Sequence, residues 1–470
     1  MNVIIYGLGR RYSSNKALIE SVFRDYNLLY SDKNYNGLSA KLGIDVISPE
    51  NIAKNDYKYV VVTVAEFEKV QQELGNLGVS YKRIISLKQV ICIYNQGNFI
   101  YYPSDNENEQ RKQVLIINGN LGFHGGAIAC ANLGKALIKK GYKVDIACGS
   151  GDIDVFKWFN AQELGVYVFK SYPYIGGEDS KVIRCYDIVV ANTISTIRAA
   201  LFTYKIVPTI WWIHEAEDYL GNNLYSETIK EFGLINDGLF MEKTKIIAVS
   251  KRASEAFYKA FKKDTNVVTI GIPDERKSKK KIWKNKIIIA TIGYIREDKN
   301  QLSFMKAAAS IDSENVSFLV IGSALCQSDY YHEMLKIEAA NENISILHEV
   351  SKDTLVEMYA DIDVIVCPSY IESMSMTIIE GMMNSKICIT TDGTGISDYI
   401  EDGVNGYVCK AGDIESLRYK IQYVIDHFDE LDNIRKNGRK TYEKYFTIEI
   451  LGDNFEGLIL ETMDNFTFFT

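Results

Sequence analysis

The sequence predicts an α/β protein with parallel sheets, and two observations carry that prediction. Short apolar runs rich in β-branched residues, at positions 114–118, 144–148, 188–191, 246–250, 287–292, 318–322 and 364–368, alternate with amphipathic stretches almost to the end of the chain. Strands buried on both faces and separated by helical segments are the signature of βαβ units. Two polar breaks then divide the series. Residues 103–110 carry no periodicity, and residues 274–286 contain Lys277-Ser278-Lys279-Lys280-Lys281 and little that can be buried. The expected organisation is an accessory module over 1–105, a middle domain over 112–273, a third domain over 287–445, and a last helical segment over 446–470 packing back on the middle domain.

Bulk properties fit this division. A chain of 470 residues, 47% hydrophobic and 24% charged, is long enough for several cores. A net charge of -8 argues against a general nucleic-acid binder, which needs excess basic side chains to neutralise phosphate. The eight cysteines form no CxxC pair and most sit inside apolar runs, so they read as small core residues of a reducing compartment. The N-terminus has neither a basic leader nor a long apolar stretch, and no later run reaches bilayer length. The expectation is a soluble cytoplasmic protein, at most peripheral to a membrane.

In the first unit, Val3-Ile4-Ile5-Tyr6-Gly7-Leu8-Gly9, then Asn27–Tyr30 and Asp32, imitate a dinucleotide-binding start, in which glycines admit a phosphate and an acid holds ribose. Tyr12 stands where the third glycine belongs, which points to a Rossmann-like module without redox chemistry; nucleotide binding is the alternative.

The middle unit offers a glycine loop and a histidine. Gly119-Asn120-Leu121-Gly122-Phe123-His124-Gly125-Gly126 leads into a helix with Cys130, Leu133 and Leu137 on one face, closed by Lys139, Lys140 and Gly141. Glycines at a helix mouth let backbone N–H groups approach an anion, yet the same loop also serves as a plain strand-to-helix turn. Trp211-Trp212-Ile213-His214-Glu215 follows a strand end, where an imidazole reaches the ligand crevice of a doubly wound sheet or is satisfied by a backbone carbonyl.

The third unit carries the densest signal. After the run 287–292 come Gly293-Tyr294-Ile295-Arg296-Glu297-Asp298-Lys299, with two cations suited to a diphosphate or to a solvated turn. Further on stands Pro368-Ser369-Tyr370-Ile371-Glu372-Ser373-Met374-Ser375-Met376-Thr377-Ile378-Ile379-Glu380, which places Glu372 on a loop and Glu380 in the second turn of a helix whose free N–H groups face the same crevice. Thr377 to Glu380 also fits a capping box, a structural alternative for that glutamate.

Across about residues 112–465 the order Gly125-Gly126, Ile213-His214-Glu215, Arg296 and Lys299, Glu372 to Glu380, and Asp392-Gly393-Thr394-Gly395-Ile396-Ser397-Asp398 resembles that of the retaining GT-B glycosyltransferases of family 4. The resemblance implies two facing Rossmann-like domains and transfer of a hexose or N-acetylhexosamine from a nucleotide-diphosphate sugar to an acceptor hydroxyl, in bacterial surface polysaccharide or glycoconjugate synthesis. It implies that Glu380 holds the donor ribose and that Glu372, with Ser373, Met374, Ser375 and Met376, lines the donor. Arg296 and Lys299 grip the diphosphate, His214 touches the sugar, and Gly125 and Gly126 line the phosphate and acceptor side. The donor is then a co-substrate, no cofactor or metal is needed, and the acceptor is a glycan, a lipid-linked molecule or a protein. Tyr294 stands where the family often has arginine, and Ser373-Met374-Ser375 replaces a common Gly-Phe-Gly.

Asp361-Ile362-Asp363 imitates a metal-binding DxD but runs straight into an apolar strand and lacks further partners. Two rival readings from other classes remain: a nucleotide-sugar epimerase on the same scaffold, and a non-catalytic partner of another glycosyltransferase. Replacing Lys299 by alanine is expected to lower turnover at least about a hundredfold with little loss of stability.

Overall fold

The computed structural model describes residues 1–95, 97–104, 112–177, 179–216, 238–276, 286–324, 328–348 and 350–466. The expected linkers at 105–110 and within 277–285, together with Cys326, lie outside the described residues. By its internal contacts the chain forms two compact units: Met1–Tyr101 with Cys148–Ser150 and Tyr167–Arg184, and Tyr102–Ala147 with Gly151–Val166 and Cys185–Thr470.

The first unit is built on a parallel sheet in the edge-to-edge order Val46–Ile47, Asn27–Ser31, Asn2–Tyr6, Tyr57–Val62, Ile84–Ser86. Side chains alternate across a strand, so Val3 and Ile5 join Tyr12, Ile19 and Phe23 in one core while Ile4 and Tyr6 join Val60, Val62 and Leu74 in the other. Tyr12 is buried, occupying by packing the place where a third glycine would bring helix and strand together. The glycine loop is closed on its own acid. Asp32 takes the Leu8 N–H at 2.8 Å on one carboxylate oxygen and the Asn34 N–H at 2.9 Å on the other. A carboxylate engaged in this way bonds the loop that a pyrophosphate would need.

The second unit contains two parallel sheets. In the first, Lys143–Cys148, Gln113–Ile117, Ile188–Asn192, Thr209–Ile213, Lys245–Ala248 and Asn266–Val267 lie side by side in that order. In the other the order is Ile344–Leu347, Val316–Ile321, Ile287–Ile292, Val364–Cys367, Ile387–Thr391, Tyr407–Cys409. Both are doubly wound, and each has a point where the chain reverses direction across the sheet, between Gln113–Ile117 and Ile188–Asn192 and between Ile287–Ile292 and Val364–Cys367. Ligand crevices form outside the carboxyl ends of strands at such points.

Helix Gly125–Lys139 shows why the local sequence works. Lys140 caps it and Gly141 follows at φ +90°, the left-handed position a glycine adopts without steric penalty. Cys130, Leu133 and Leu137 are fully buried as their spacing predicts, but Ala129, Ala131 and Ala136 are buried too. The final helix, Ile448–Asp464, explains this by packing against it. Glu449 pairs with Lys139 at 2.9 Å, Asp453 and Glu456 pair with Lys140, and Phe455 meets the Trp212 ring at 4.9 Å. No helix among the described residues is long and apolar enough to cross a membrane. Cys130, Cys148, Cys367, Cys388 and Cys409 are buried free thiols, whereas Cys185 is exposed, which departs from the core reading of the cysteines.

Candidate functional site

In the second sheet of the larger unit, the two strands that flank the reversal point send their loops into one place. Strand Ile287–Ile292 runs into Gly293 and the short 3₁₀ turn Glu297–Lys299; strand Val364–Cys367 runs into Pro368 and then helix Met376–Met383. The loops are tied together by the Asn300 amide donating to the Pro368 carbonyl at 3.1 Å and by the Tyr370 N–H donating to the Asp298 carbonyl at 2.9 Å. Between them Lys299 Nζ meets Glu372 Oε1 at 2.8 Å, and Glu372 Oε2 accepts from Ser369 at 3.1 Å and from the Cys367 thiol at 3.2 Å. Burial pulls the Lys299 ammonium down, but Glu372, with smaller contributions from Cys367 and Asp298, outweighs it and leaves its pKa raised. Lys299 is therefore a fixed positive charge across the physiological range.

Arg296 makes a bidentate pair with Asp298, at 2.8 Å through Nε and 2.5 Å through a terminal nitrogen, and its side chain is 52% exposed. The two expected cations thus differ: Lys299 is enclosed and Arg296 stands at the rim with an acid of its own.

The other sheet supplies the opposite wall. His124 caps helix Gly125–Lys139 by accepting the Ala127 N–H on Nδ1 at 3.4 Å, so the neutral ring carries its proton on Nε2. Burial lowers its pKa, with the Asn120 carbonyl acting the other way. That carbonyl already takes the Asn118 amide at 2.6 Å, and His124 Nε2 has no partner in hydrogen-bond geometry among the described residues. Asn192 bridges the reversal point, donating to Asn118 Oδ1 at 2.8 Å and to the Gly126 carbonyl at 3.0 Å. Beside it Thr193 is held at φ +76°, its N–H bonded to the Trp212 carbonyl and its own carbonyl to the Trp211 indole.

His214 follows strand Thr209–Ile213 and packs edge-on to Trp212 at 4.3 Å between ring centroids. Burial pushes its pKa down to about 3, so it is a neutral imidazole, and its Nε2 has no protein partner among the described residues. Glu215 accepts the Ile194 N–H at 2.8 Å and the His214 N–H at 3.1 Å, yet burial raises its pKa to about 7 against those bonds. A folded-state pKa above the unfolded value means stability that is full at low pH and lost as pH rises from about 4.5 through about 7. Glu215→Gln, which never ionises, is therefore expected to gain thermal stability relative to the parent between pH 5 and 8. A difference in melting temperature that stays flat over that range would contradict it.

Both walls line one cleft of ≈ 1680 Å³. His214, Gly125 and Gly126 stand on one side, and Arg296, Lys299, Glu372, Ser373, Met374, Met376 and Glu380 on the other. A Cβ built on Gly125 would lie 3.9 Å from Met376 Sδ, so the first turns of Gly125–Lys139 and Met376–Met383 approach each other there. Two helix N-termini then present free N–H groups and partial positive charge to the same volume.

Two expectations are corrected. Ser375 does not line the cleft: it is fully buried as the N-cap of Met376–Met383, its hydroxyl accepting the Ile378 N–H at 3.5 Å. Because Ser375 holds that cap, Thr377 and Glu380 form no capping box; Glu380 instead accepts the Tyr359 hydroxyl at 2.5 Å on Oε2. The DxD imitation is structural, since Asp363 Oδ2 accepts the Ile288 N–H at 2.9 Å between adjacent strands. His124 and Tyr359 were missed in the sequence. His124 sits inside the glycine loop and was legible as a helix cap, whereas Tyr359 ends helix Lys352–Met358, outside the runs that carry the expected donor residues.

Residues 273–441 match the family described as glycosyl transferases group 1, and residues 1–85 match the family described as C2185-like, N-terminal. The chain carries a group 1 glycosyltransferase domain. Over 180 residues the chain is 27% identical to the capsular polysaccharide biosynthesis glycosyltransferase CapM of Staphylococcus aureus, a match spanning 38% of this chain and about half, 47%, of that relative. It is 23% identical over 360 residues to an uncharacterised glycosyltransferase of Methanocaldococcus jannaschii, covering 68% of this chain and 90% of the relative. Anabaena HepE in complex with UDP-glucose superposes with a TM-score of 0.62 at 16% identity, over 75% of this chain and 99% of that one. The fold is GT-B, and the group 1 match spans its second parallel sheet.

Proposed function

We propose that the chain is a retaining glycosyltransferase that moves a hexose or N-acetylhexosamine from a nucleotide-diphosphate sugar to an acceptor hydroxyl without a metal, at the cytoplasmic face of surface-polysaccharide or glycoconjugate synthesis. The observation that carries this reading is the enclosed Lys299–Glu372 pair at 2.8 Å, opposite the mouth of helix Gly125–Lys139 in the same cleft. Departure of a nucleoside diphosphate builds negative charge, and a fixed cation with two converging helix N-termini stabilises it where it develops. In the proposed step the acceptor oxygen bonds to the anomeric carbon as the bond from that carbon to the phosphate oxygen breaks. The acceptor proton passes to the departing phosphate on the same face. His214, neutral and with Nε2 unpartnered among the described residues, suits a sugar hydroxyl.

The donor with a nucleoside diphosphate is supported by HepE, solved with UDP-glucose on the same fold. A surface-polysaccharide role is supported by the CapM relative. The first unit, its glycine loop bonded to Asp32, is read as a module that positions the acceptor or a partner rather than a second nucleotide site.

The test is a panel of UDP-, GDP- and ADP-sugars incubated with the full chain in excess chelator, following nucleotide release and the anomer of any transferred sugar. One donor is expected to be turned over, with retained configuration. Conversion of donor to an epimer without release of nucleotide would favour the epimerase reading, and no turnover of any donor the non-catalytic one.

A further inference from the structure

We infer that Tyr359 is a positioning residue for recognition of the donor ribose, acting through Glu380. The inference rests on the donor reading above and extends it to a residue outside the runs that carry the expected donor residues. Tyr359 is 3% exposed at the end of helix Lys352–Met358, borders the cleft, and donates to Glu380 Oε2 at 2.5 Å. Glu380 lies one turn inside helix Met376–Met383 and borders the same cleft. The Glu380 side chain, with three rotatable bonds, has its orientation at the cleft wall fixed by a bond at its tip. The phenol is fully enclosed, and burial first and Glu380 second push its ionisation far up, so it remains a donor throughout the physiological range.

A carboxylate oxygen has two lone pairs. Tyr359 takes one of those on Oε2 and so helps to set the plane of a carboxylate that borders the cleft. A cis-diol presents two O–H donors at a fixed spacing, and a carboxylate held in one plane matches both better than one that has lost a bond setting that plane. Losing the phenol hydroxyl therefore loosens two-point recognition of the ribose more than it weakens binding of base or diphosphate, which rests on other groups such as Lys299. A purely architectural tyrosine would weaken all nucleotides alike.

The experiment is calorimetric titration of the full chain with UDP, GDP and ADP, each against its 2′-deoxy form. The parent protein is expected to prefer the ribonucleotide by at least about tenfold for whichever base binds, since hydrogen bonds to a charged group are the stronger ones. In Tyr359→Phe the preference should fall to within about threefold, chiefly through weaker binding of the ribonucleotide, with the deoxy form little changed. Tyr359→Met, which also lacks the hydroxyl, replaces it should the phenylalanine form not fold. An undiminished ribose preference in the variant, or equal weakening of both forms, would overturn the inference. Failure of the parent to bind any nucleoside diphosphate would remove the donor reading itself, and this inference with it.

Discussion

Lys299→Ala is expected to lower turnover at least about a hundredfold, because it removes the enclosed cation from the charge that develops on the departing diphosphate. The expectation of little stability loss does not hold against the geometry. Lys299 is the ion-pair partner of Glu372 at 2.8 Å, their side chains 27% and 17% exposed, so its removal strands a carboxylate in a largely dry site. The penalty is on the order of 2 kcal/mol, below the ~3–5 seen for fully buried pairs because both groups keep some water. The two effects separate in a double variant. Lys299→Met with Glu372→Gln should recover most of the melting temperature by removing both charges, yet stay at least about a hundredfold down in turnover. A single variant within about threefold of the parent in turnover would remove Lys299 from the chemistry.

Gly395→Ala is expected to damage both stability and activity although Gly395 is not a cleft residue. A Cβ there would fall 1.9 Å from the Ser373 carbonyl oxygen and 2.8 Å from Ser250 Oγ. The first clash is with backbone, and the backbone belongs to the Glu372 loop. Glu372 donates its N–H to the Gly393 carbonyl at 3.1 Å, and its own carbonyl accepts from Gly395 at 2.8 Å. Relief of the clash requires Ser373 to retreat by roughly 1 Å, which in a close-packed seam costs about 1–3 kcal/mol. A shift of that size at a reacting site costs up to about a hundredfold in rate. The alanine variant should therefore melt a few degrees lower, at roughly 1.5 °C per kcal/mol for a unit of this size, and lose at least about tenfold in turnover. Wild-type turnover with an unchanged melting temperature would show that the loop tolerates displacement.

The sequence disclosed the parts of this protein that depend on local pattern. Buried strands such as Ile287–Ile292 are continuous apolar runs, and the helix from Gly125 carries its own start and stop, so both were readable without partners. Site residues written into glycine or Glu-x7-Glu spacing, among them Gly125, Gly126, Lys299, Glu372 and Glu380, reach a common cleft because reversal points put strand ends together whatever the loops between. What could not be read were bonds made across the fold. Asp32 reads as a ribose acid until its bond to the Leu8 N–H, 24 positions away, is seen. Ser375 and Thr377 are both plausible caps two residues apart, and only the helix start at Met376 decides between them. Tyr359 lies 21 positions from Glu380 on a different helix, a spacing with no local periodicity to betray it.

The central claim is that the cleft formed by Lys299, Glu372 and Glu380 holds a nucleoside diphosphate, and the most direct measurement is calorimetric titration of the intact chain with UDP, GDP and ADP, with and without chelator. The account predicts saturable binding of one of them at about one site per chain, unchanged by chelator and weakened at least about tenfold in the Lys299→Met, Glu372→Gln double variant. No saturable binding, or undiminished affinity in a folded double variant, would contradict it.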